Sequence, residues 1–286
     1  MKAVRSFLEL IKFEHTIFAL PFSYLGMLLA AHGWPTWPQF IWITLAMAAA
    51  RTLAMAVNRL VDRHQDGLNP RTARRPLVTG AISTRTAWVG SAISGGVLVV
   101  SAWALGPLPM ILLPAAGLFL IGYSYTKRFT WLSHFILGAT DGLAPVGAWV
   151  AVRGSLFTPN DLPAWLLLIT VTLWIGGFDL VYACQDATFD RQQALHSIPA
   201  RFGIPAALRL SVICHILTVT VLAGLAIMLH LHWPFWAATA ASAGLFVWEH
   251  RLVKPDDLSQ LDRAFFNMNS YISVTLLVGM LGAILV

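Results

Sequence analysis

The feature that most constrains this chain is a succession of apolar runs, each about as long as one membrane crossing. A helix rises about 1.5 Å per residue, so roughly 20 apolar residues span the hydrocarbon core of a bilayer. We place such spans at residues 16–32, 39–62, 86–106, 108–126, 132–152, 163–184, 206–230, 233–249 and 268–286. This pattern predicts an all-α polytopic membrane protein with about nine transmembrane helices.

The composition supports the same class of protein. Only 11% of the 286 residues are charged and 57% are hydrophobic, whereas about a quarter of an ordinary soluble domain is charged. Such a chain has too few polar residues to cover a soluble surface, which excludes most soluble enzymes. We therefore predict a single transmembrane domain over residues 1–286, with two similar four-helix halves at about 16–126 and 132–249 and a last helix at 268–286.

The basic residues predict how the chain is oriented. Of the 19 Lys and Arg residues, Arg153 alone falls in a loop on the second side and Arg51 lies inside a span, so the other seventeen lie on or face the first side. Loops rich in Lys and Arg stay in the cytoplasm. We expect the N-terminus and this first side to be cytoplasmic. The net charge of +6 then reflects membrane orientation, and no nucleic-acid partner is expected.

The acidic residues gather where the second and sixth spans reach the predicted cytoplasmic side. The two sets are Asn58, Asp62 and Asp66, and Asp179, Asp186 and Asp190. The first set has the spacing i, i+4, i+8 and the second i, i+7, i+11, which places each set along one stripe of a helix. Like charges at this spacing repel one another. Because the sequence places like charges close together at two separate points, we predict that a cation binds at these acidic sets and offsets the repulsion.

Carboxylate oxygens are hard ligands, and Mg²⁺ commonly binds through one or two carboxylates together with water and substrate phosphates. Two facing stripes could therefore hold Mg²⁺ ions and a diphosphate between them. A solvated helix end explains one stripe equally well. Two matched stripes about 120 residues apart favour a metal and diphosphate site.

Basic residues in the adjoining loops suit the same ligand, because Lys and Arg bind phosphate oxygens well. Arg71 and Arg74 follow the first stripe, and Arg201 follows the second. Our candidates for binding the diphosphate are Arg75, Lys127, Arg128 and Arg191. The alternative explanation for any one of them is membrane orientation alone, which also requires basic residues on this side.

Arg51 is the exceptional cation, because it lies inside a span. It precedes Asn58 by seven residues, so it lies on the same helix face two turns deeper. A guanidinium within a membrane span is costly and usually faces the bundle interior or a cavity. A substrate carboxylate would supply the anionic partner that it needs. The alternative is a structural pair with a buried acid, for which Asp141 in the fifth span is a candidate.

Together these residues resemble the two aspartate-rich motifs of the UbiA-type intramembrane prenyltransferases. The resemblance covers nearly the whole chain and includes the YSYTKR segment after the fourth span. It implies a helical bundle in a bacterial inner membrane that uses Mg²⁺ to transfer a polyprenyl group from a diphosphate donor to an aromatic acceptor. The stretch GFDLVYACQDATFDRQQALHSIPARFG is most similar to the 4-hydroxybenzoate polyprenyltransferase branch, which functions in quinone biosynthesis.

The resemblance also implies roles for individual residues. Arg51 would contact the acceptor carboxylate. We also assign Asn58, Tyr123 and Tyr182 to the aromatic-acceptor site, where the two tyrosine rings either shield the prenyl cation or simply pack. The predicted catalytic residues are Asp62, Asp66, Asp186, Asp190 and Lys127. The predicted metal ligands are Asn58, Asp62, Asp66, Asp179, Asp186 and Asp190.

Three alternatives stay open. The stretch KFEHTIFALPF carries Glu14 and His15 where relatives that use 4-hydroxybenzoate often carry an arginine. With AFFNMNSYIS, it resembles a subgroup whose acceptor is a dihydroxynaphthoate in menaquinone biosynthesis. A secondary transporter would also place acids in spans, but near the bilayer midplane. A membrane phosphotransferase of the CDP-alcohol type would need an aspartate in the RTLAMAVNRLV run, which has none.

Overall fold

The computed structural model describes residues 7–11, 16–261 and 267–286. Within them the fold is helical, apart from one isolated bridge between Lys254 and Asp257. Nine long helices lie at the nine predicted spans, and we number them in chain order. They are α1 (Thr16–Ala31), α2 (Trp37–Val61), α3 (Thr84–Leu105), α4 (Pro107–Thr126), α5 (Ser133–Arg153), α6 (Leu162–Ala183), α7 (Ile204–Met228), α8 (Trp233–Leu252) and α9 (Asn269–Leu285).

The surface of this bundle is suited to lipid. Six of the helices, α2 to α7, are long and apolar enough to cross a membrane, whereas α1 and α9 are apolar but shorter. Large apolar side chains such as Trp103 and Leu118 are about three-quarters exposed on the outside of the bundle. A soluble protein would hide such residues, so the predicted all-α membrane protein is confirmed. The number of nine membrane crossings stays a prediction.

Local sequence explains where the helices begin. The hydroxyl of Thr36 accepts the backbone N–H of Gln39, and the Gln39 side chain accepts the backbone N–H of Thr36 in return, which caps the start of α2. Ser83 caps α3 by accepting the N–H of Thr86. The cap of α2 fixes the entry of a helix whose other end approaches the charged residues described below, whereas α3 begins on the side of those residues, where Arg63 donates to Thr84 at 3.1 Å.

Helices α5 and α6 form the centre of the bundle and pack closely through small residues. Gly138 and Gly142 of α5 face α6, and a Cβ at Gly138 would clash with the carbonyl of Thr172. Small residues let membrane helices approach in this way. The buried core next to this contact contains Trp149 and Trp174. The close packing brings the polar ends of the two helices to one side of the bundle.

The acidic stretches are not continuous helical stripes, so that detail of the sequence prediction is wrong. Helix α2 ends at Val61, and Asp62 separates it from a short helix at Arg63–Leu68. After α6, a 3-10 turn at Cys184–Asp186 precedes a short helix at Ala187–Gln192. Asp and Asn side chains compete with the backbone for hydrogen bonds and so favour such breaks. Each break is small enough for both acidic sets to stay on one side of the bundle.

Candidate active site

A cavity of about 930 Å³ lies between α2, α4, α5 and α6. Its deeper walls are largely apolar, with side chains such as Leu112 and Leu168, and one end is charged. The predicted site residues that line it are Arg51, Asn58, Asp62, Asp66, Arg75, Tyr123, Lys127, Arg128, Asp179, Tyr182, Asp186 and Asp190. We call the charged end, formed by Asp62, Asp66, Asp186, Asp190 and their basic partners, the charged mouth.

In the first acidic stretch, each carboxylate has a nearby partner. Asp62 accepts a hydrogen bond of 3.0 Å from the Asn58 amide and lies 3.6 Å from the Arg128 guanidinium. The Arg75 guanidinium donates to both oxygens of the buried Asp66 at 2.6 Å. Burial and the neighbouring Asp66 carboxylate raise the pKa of Asp62, although Arg128 opposes this effect. The ionised form of the partly buried Asp62 carboxylate is therefore stabilised by the positive charges near it.

In the second stretch, Asp186 is bound by the loop that follows the first stretch. Arg71 donates to its two oxygens at 3.1 and 2.6 Å, and Asn69 donates at 2.9 Å. Arg71 also donates to the Tyr182 hydroxyl at 2.8 Å. A two-pronged guanidinium–carboxylate pair is among the stronger polar contacts in proteins. Arg71 and Asn69 thus join the two acidic stretches directly, and neither was among the predicted site residues.

Lys127 approaches the second stretch from the end of α4. Its ammonium lies 3.4 Å from the carboxylate of the buried Asp190. Burial on its own lowers the pKa of Lys127, but the carboxylates of Asp190, Asp179 and Asp186 outweigh that effect and raise it. Lys127 therefore remains a cation in the charged mouth, where it faces three acids and could meet an anionic ligand.

Asp179 is held by a histidine that the sequence analysis missed. The two side chains are 2.7 Å apart, between the Asp179 carboxylate and Nδ1 of His134. Nε2 of His134 accepts the backbone N–H of Ile198, so the proton lies on Nδ1 and is donated to Asp179. His134 is fully buried. This chain of contacts fixes the orientation of the Asp179 carboxylate towards the cavity.

Deeper in the cavity, the charged groups lack such partners. The Arg51 guanidinium makes no hydrogen bond or ion pair with the described residues, and its buried Nε is unpaired. Asp141 also lines the cavity without a hydrogen bond or ion pair to any described residue. Arg51 and Asp141, the structural pair that the sequence offers as an alternative, form no ion pair within 4.0 Å, although their opposite charges attract each other. We call the part of the cavity lined by Arg51 and Asp141 the deep pocket.

The structure places one predicted site residue outside the cavity. Arg191 does not line the main cavity: its guanidinium donates twice to the carbonyl of Ala200, at 3.2 and 3.0 Å, and lines a separate small pocket. It follows Asp190 by one residue, which rotates its side chain by about 100° around the short helix. Arg191 is therefore not retained as a candidate for binding the diphosphate. Glu14 and His15 lie outside the described residues.

The donor set of the charged mouth fits Mg²⁺. Among the described residues, no group of three or more Asp, Glu, His or Cys side chains is arranged to hold a metal alone. Mg²⁺ does not require such a group, because one or two carboxylates suffice when substrate phosphates and water complete its shell. Asp62, Asp66, Asp186 and Asp190 supply hard oxygen ligands around one opening. Their chemistry therefore matches a metal that arrives with a phosphorylated ligand.

The fold and the site define a membrane-embedded helical bundle whose charged mouth opens onto an apolar cavity. The model of the UbiA prenyltransferase family matches residues 19–271. A 4-hydroxybenzoate octaprenyltransferase from Chromohalobacter salexigens is 31% identical over 242 residues, which cover 84% of this chain and 78% of that relative. The chain therefore belongs to the UbiA prenyltransferase family. The prediction that it is an enzyme of the aromatic prenyltransferase class is confirmed.

Other relatives agree in sequence and in fold. A 4-hydroxybenzoate octaprenyltransferase from Vibrio parahaemolyticus is 29% identical over 262 residues, covering 90% of this chain and 89% of its own. The apo structure of a UbiA homolog from Aeropyrum pernix K1 has a TM-score of 0.87 and 33% identity, covering 94% of this chain and 98% of that one. A UbiA homolog from Archaeoglobus fulgidus, bound to GPP and Mg²⁺, shares the fold with a TM-score of 0.73 and 19% identity, covering 98% and 100%.

Proposed function

We propose that the protein transfers a polyprenyl group from an allylic polyprenyl diphosphate to the ring of a hydroxylated aromatic acid, in quinone biosynthesis. The observation that carries this proposal is the convergence of both acidic stretches at one mouth of an apolar cavity. A charged mouth suits a diphosphate and an apolar interior suits an isoprenoid tail. The names of the relatives point to 4-hydroxybenzoate as the acceptor. A dihydroxynaphthoate in menaquinone biosynthesis is the alternative.

The donor half of the reaction belongs to the charged mouth. Arg71, Arg75 and Lys127 already donate to carboxylates there, and each can donate to a diphosphate oxygen instead. The bond between C1 of the prenyl group and the diphosphate oxygen breaks, and its electron pair leaves with the diphosphate. Fixed cations around the departing oxygens stabilise that charge as it develops. Arg128, 3.6 Å from Asp62, adds a further positive charge at the same opening.

Mg²⁺ is the proposed cofactor of this step. Asp62, Asp66, Asp186 and Asp190 would hold it, with Asn58 and Asp179 as further oxygen ligands near the same cavity. When bound, the metal would neutralise part of the charge of the diphosphate. Two observations support the metal: the hard oxygen donors of this chain, and the complex of a homolog of the same fold with GPP and Mg²⁺.

The acceptor half of the reaction belongs to the deeper cavity. The unpaired Arg51 guanidinium can bind the carboxylate of the aromatic acid through two parallel hydrogen bonds. This holds the ring so that the carbon ortho to the phenolic oxygen faces C1 of the donor. That carbon forms the new bond to C1 and then loses its proton to the released diphosphate, which restores the aromatic ring. Positioning of this kind makes a large contribution to rate because the reacting atoms are held together.

Two tyrosines lie between the mouth and the deep pocket. The Tyr123 hydroxyl donates to the carbonyl of Ala54 at 3.3 Å, and the Tyr182 hydroxyl accepts from Arg71. Both hydroxyls are thus held in place while the rings line the cavity. The electron-rich face of an aromatic ring attracts positive charge. We assign both rings to the shielding of the prenyl group as it separates from the diphosphate.

The membrane supplies the setting for this reaction. We propose that the charged mouth and the N-terminus face the cytoplasm, because Lys and Arg are concentrated on that side. The donor would enter from the lipid with its tail along the apolar cavity wall. A transporter is less well supported, since the acids of a transporter would cluster near the bilayer midplane, whereas both acidic stretches of this chain lie at helix ends.

The test is to incubate the purified protein with one allylic diphosphate and a panel of aromatic acids, and to analyse the lipid extract by mass spectrometry. We expect one prenylated aromatic acid, formed with Mg²⁺ and abolished by EDTA. Release of diphosphate without any prenylated acid would contradict the proposal. Uptake of a labelled solute by proteoliposomes that contain no prenyl donor would instead favour a transporter.

A further inference from the structure

Asp141 is an acid that the reaction described above does not use. It lies on the face of α5 that lines the cavity, together with Leu137, Ala144 and Ala148. These neighbours are apolar, and the hydroxyl of Thr140, which also lines the cavity, donates to the carbonyl of Ile136. The opposite charge of Arg51 attracts the Asp141 carboxylate, but no described residue donates a hydrogen bond to it, and an ionised acid inside a membrane bundle is costly unless it has a partner. A ligand in the cavity is therefore the available source of a hydrogen-bond donor.

The depth of Asp141 matches that of Arg51. Arg51 lies ten residues before the end of α2 at the mouth, or about 15 Å along the helix. Asp141 lies eight residues from the start of α5 at the same side, or about 12 Å. Asp179 is four residues from the end of α6, or about 6 Å, and so lies nearer the mouth. The deep pocket thus has a donor on α2 and an acceptor on α5 at one level.

We propose that Asp141 determines acceptor specificity by accepting a hydrogen bond from a second hydroxyl of the aromatic acid, near its carboxylate end. This rests on the proposed function. An ionised carboxylate only accepts hydrogen bonds, and a guanidinium only donates them. The pair Arg51 and Asp141 therefore recognises a ligand that carries both a carboxylate and a hydroxyl at the same level of the cavity. Dihydroxylated aromatic acids form the substrate class that meets this requirement.

An acid with one hydroxyl meets it less well. In 4-hydroxybenzoate the hydroxyl is at the end of the ring opposite the carboxylate. When Arg51 holds the carboxylate, that hydroxyl points towards the mouth, where the adjacent ring carbon must meet the donor. Asp141 is then left beside a second carboxylate, with no donor of its own. A site built to bond a hydroxyl discriminates strongly against a ligand that lacks it, because its own polar group stays unpaired.

The experiment compares 4-hydroxybenzoate with the dihydroxybenzoates that add one hydroxyl beside the carboxylate or one ring carbon further, together with a dihydroxynaphthoate. For each acid, kcat/KM is measured with the wild-type protein and with Asp141→Leu, which removes both acceptor oxygens. We expect the wild type to prefer at least one dihydroxylated acid by about tenfold or more. Asp141→Leu should reduce that preference by about tenfold. Asp141→Asn, which keeps one acceptor oxygen, should reduce it less.

The preference is a ratio within one protein sample, so a partly unfolded variant does not distort it. Asp257→Leu, a substitution of an exposed acid outside the cavity, should leave the preference unchanged. The inference is overturned if the wild type prefers the monohydroxy acid, or if Asp141→Leu lowers kcat/KM for every acid by the same factor. If the wild type prenylates no aromatic acid, the proposed function itself fails, and this outcome is distinct from an unchanged preference.

Discussion

The charged side chains of the charged mouth are hydrogen-bonded or ion-paired within the protein, whereas those of the deep pocket are not. At the mouth, four carboxylates are joined to basic or amide side chains, as in the two-pronged pair of Arg71 with Asp186. In the deep pocket, Arg51 and Asp141 have no such partner among the described residues. Cations that pair with acids can exchange them for a diphosphate, whereas charges inside a membrane bundle that have no bonded partner mark a candidate ligand site. We propose on this basis that each level takes one of the two substrates.

A third region shows what a purely structural acid looks like. At the opposite end of the bundle, the fully buried Asp161 accepts from the Trp149 indole at 2.9 Å, the Ser155 hydroxyl at 2.7 Å, and the backbone and hydroxyl of Thr158 at 3.0 and 2.7 Å. All of these partners are local in the sequence and none is a cation. Asp161 is satisfied without a ligand, which is the property that Asp141 lacks.

The largest effect on activity should come from removing a carboxylate of the charged mouth. Asp62→Ala removes a carboxylate that holds metal and donor in our account, and we expect kcat to fall by about 10²- to 10³-fold at saturating Mg²⁺. Steady-state prenyl transfer with labelled donor measures this fall. Asp257→Ala, in an exposed loop, is the matched control and should retain full activity. If Asp62→Ala transferred the prenyl group at a rate near that of the wild type, Asp62 could not be a ligand of a catalytic metal.

A smaller effect should come from the deep pocket and should fall on the other substrate. Arg51→Gln removes the charged fork, so kcat/KM for the aromatic acid should fall by about tenfold to a hundredfold while KM for the donor changes little. Arg51→Lys should recover only part of the loss, because an ammonium lacks the fork. Arg153→Gln at the opposite end serves as control. If Arg51→Gln raised KM for the donor as much as KM for the aromatic acid, the proposal that the two substrates bind at different depths would be contradicted.

A comparison of Arg71 with Arg191 tests which basic residues belong to the charged mouth. Arg71 lines the cavity and binds Asp186, whereas Arg191 binds a backbone carbonyl outside it. We expect Arg71→Ala to raise KM for the donor by about tenfold, and Arg191→Ala to leave it within about twofold of the wild type. Donor titrations at saturating aromatic acid provide both values. A rise in donor KM of more than about twofold in Arg191→Ala would show that Arg191 does contribute to diphosphate binding.

The smallest effect on activity should come from Asp161. Asp161→Asn places an amide among donors and leaves at least one of them unpaired, so the free energy of unfolding should fall by about 1–3 kcal/mol. The kcat of the folded fraction should stay within about twofold of the wild type. Thermal melting in detergent and activity per folded molecule test the two statements separately. Loss of activity with unchanged stability would show that this end of the bundle also takes part in the reaction.

The sequence was sufficient for much of this picture because its signals are periodic. Apolar runs placed the nine long helices, and the seven-residue step from Arg51 to Asn58 put both on one face of α2. Membrane helices suit such inference, since the bilayer fixes their length and makes buried charges rare enough to notice.

The errors lie where periodicity ends. Arg71 and Asn69 belong to an irregular loop, and their contact with Asp186 spans more than 110 residues, so no local pattern predicts it. Arg191 was selected because it adjoins Asp190, but the start of the short helix that holds both determines which of them faces the cavity. His134 lies 45 residues from Asp179 in sequence and meets it only through the packing of α5 on α6.

The most direct test of the two-level site is equilibrium binding of a labelled aromatic acid to purified protein in the absence of donor. The wild type and Arg71→Ala should bind the acid with affinities within about threefold of each other, whereas Arg51→Gln should bind it about tenfold to a hundredfold more weakly. Equal loss of acid binding in Arg71→Ala and Arg51→Gln would contradict the assignment of donor to the mouth and acceptor to the deep pocket.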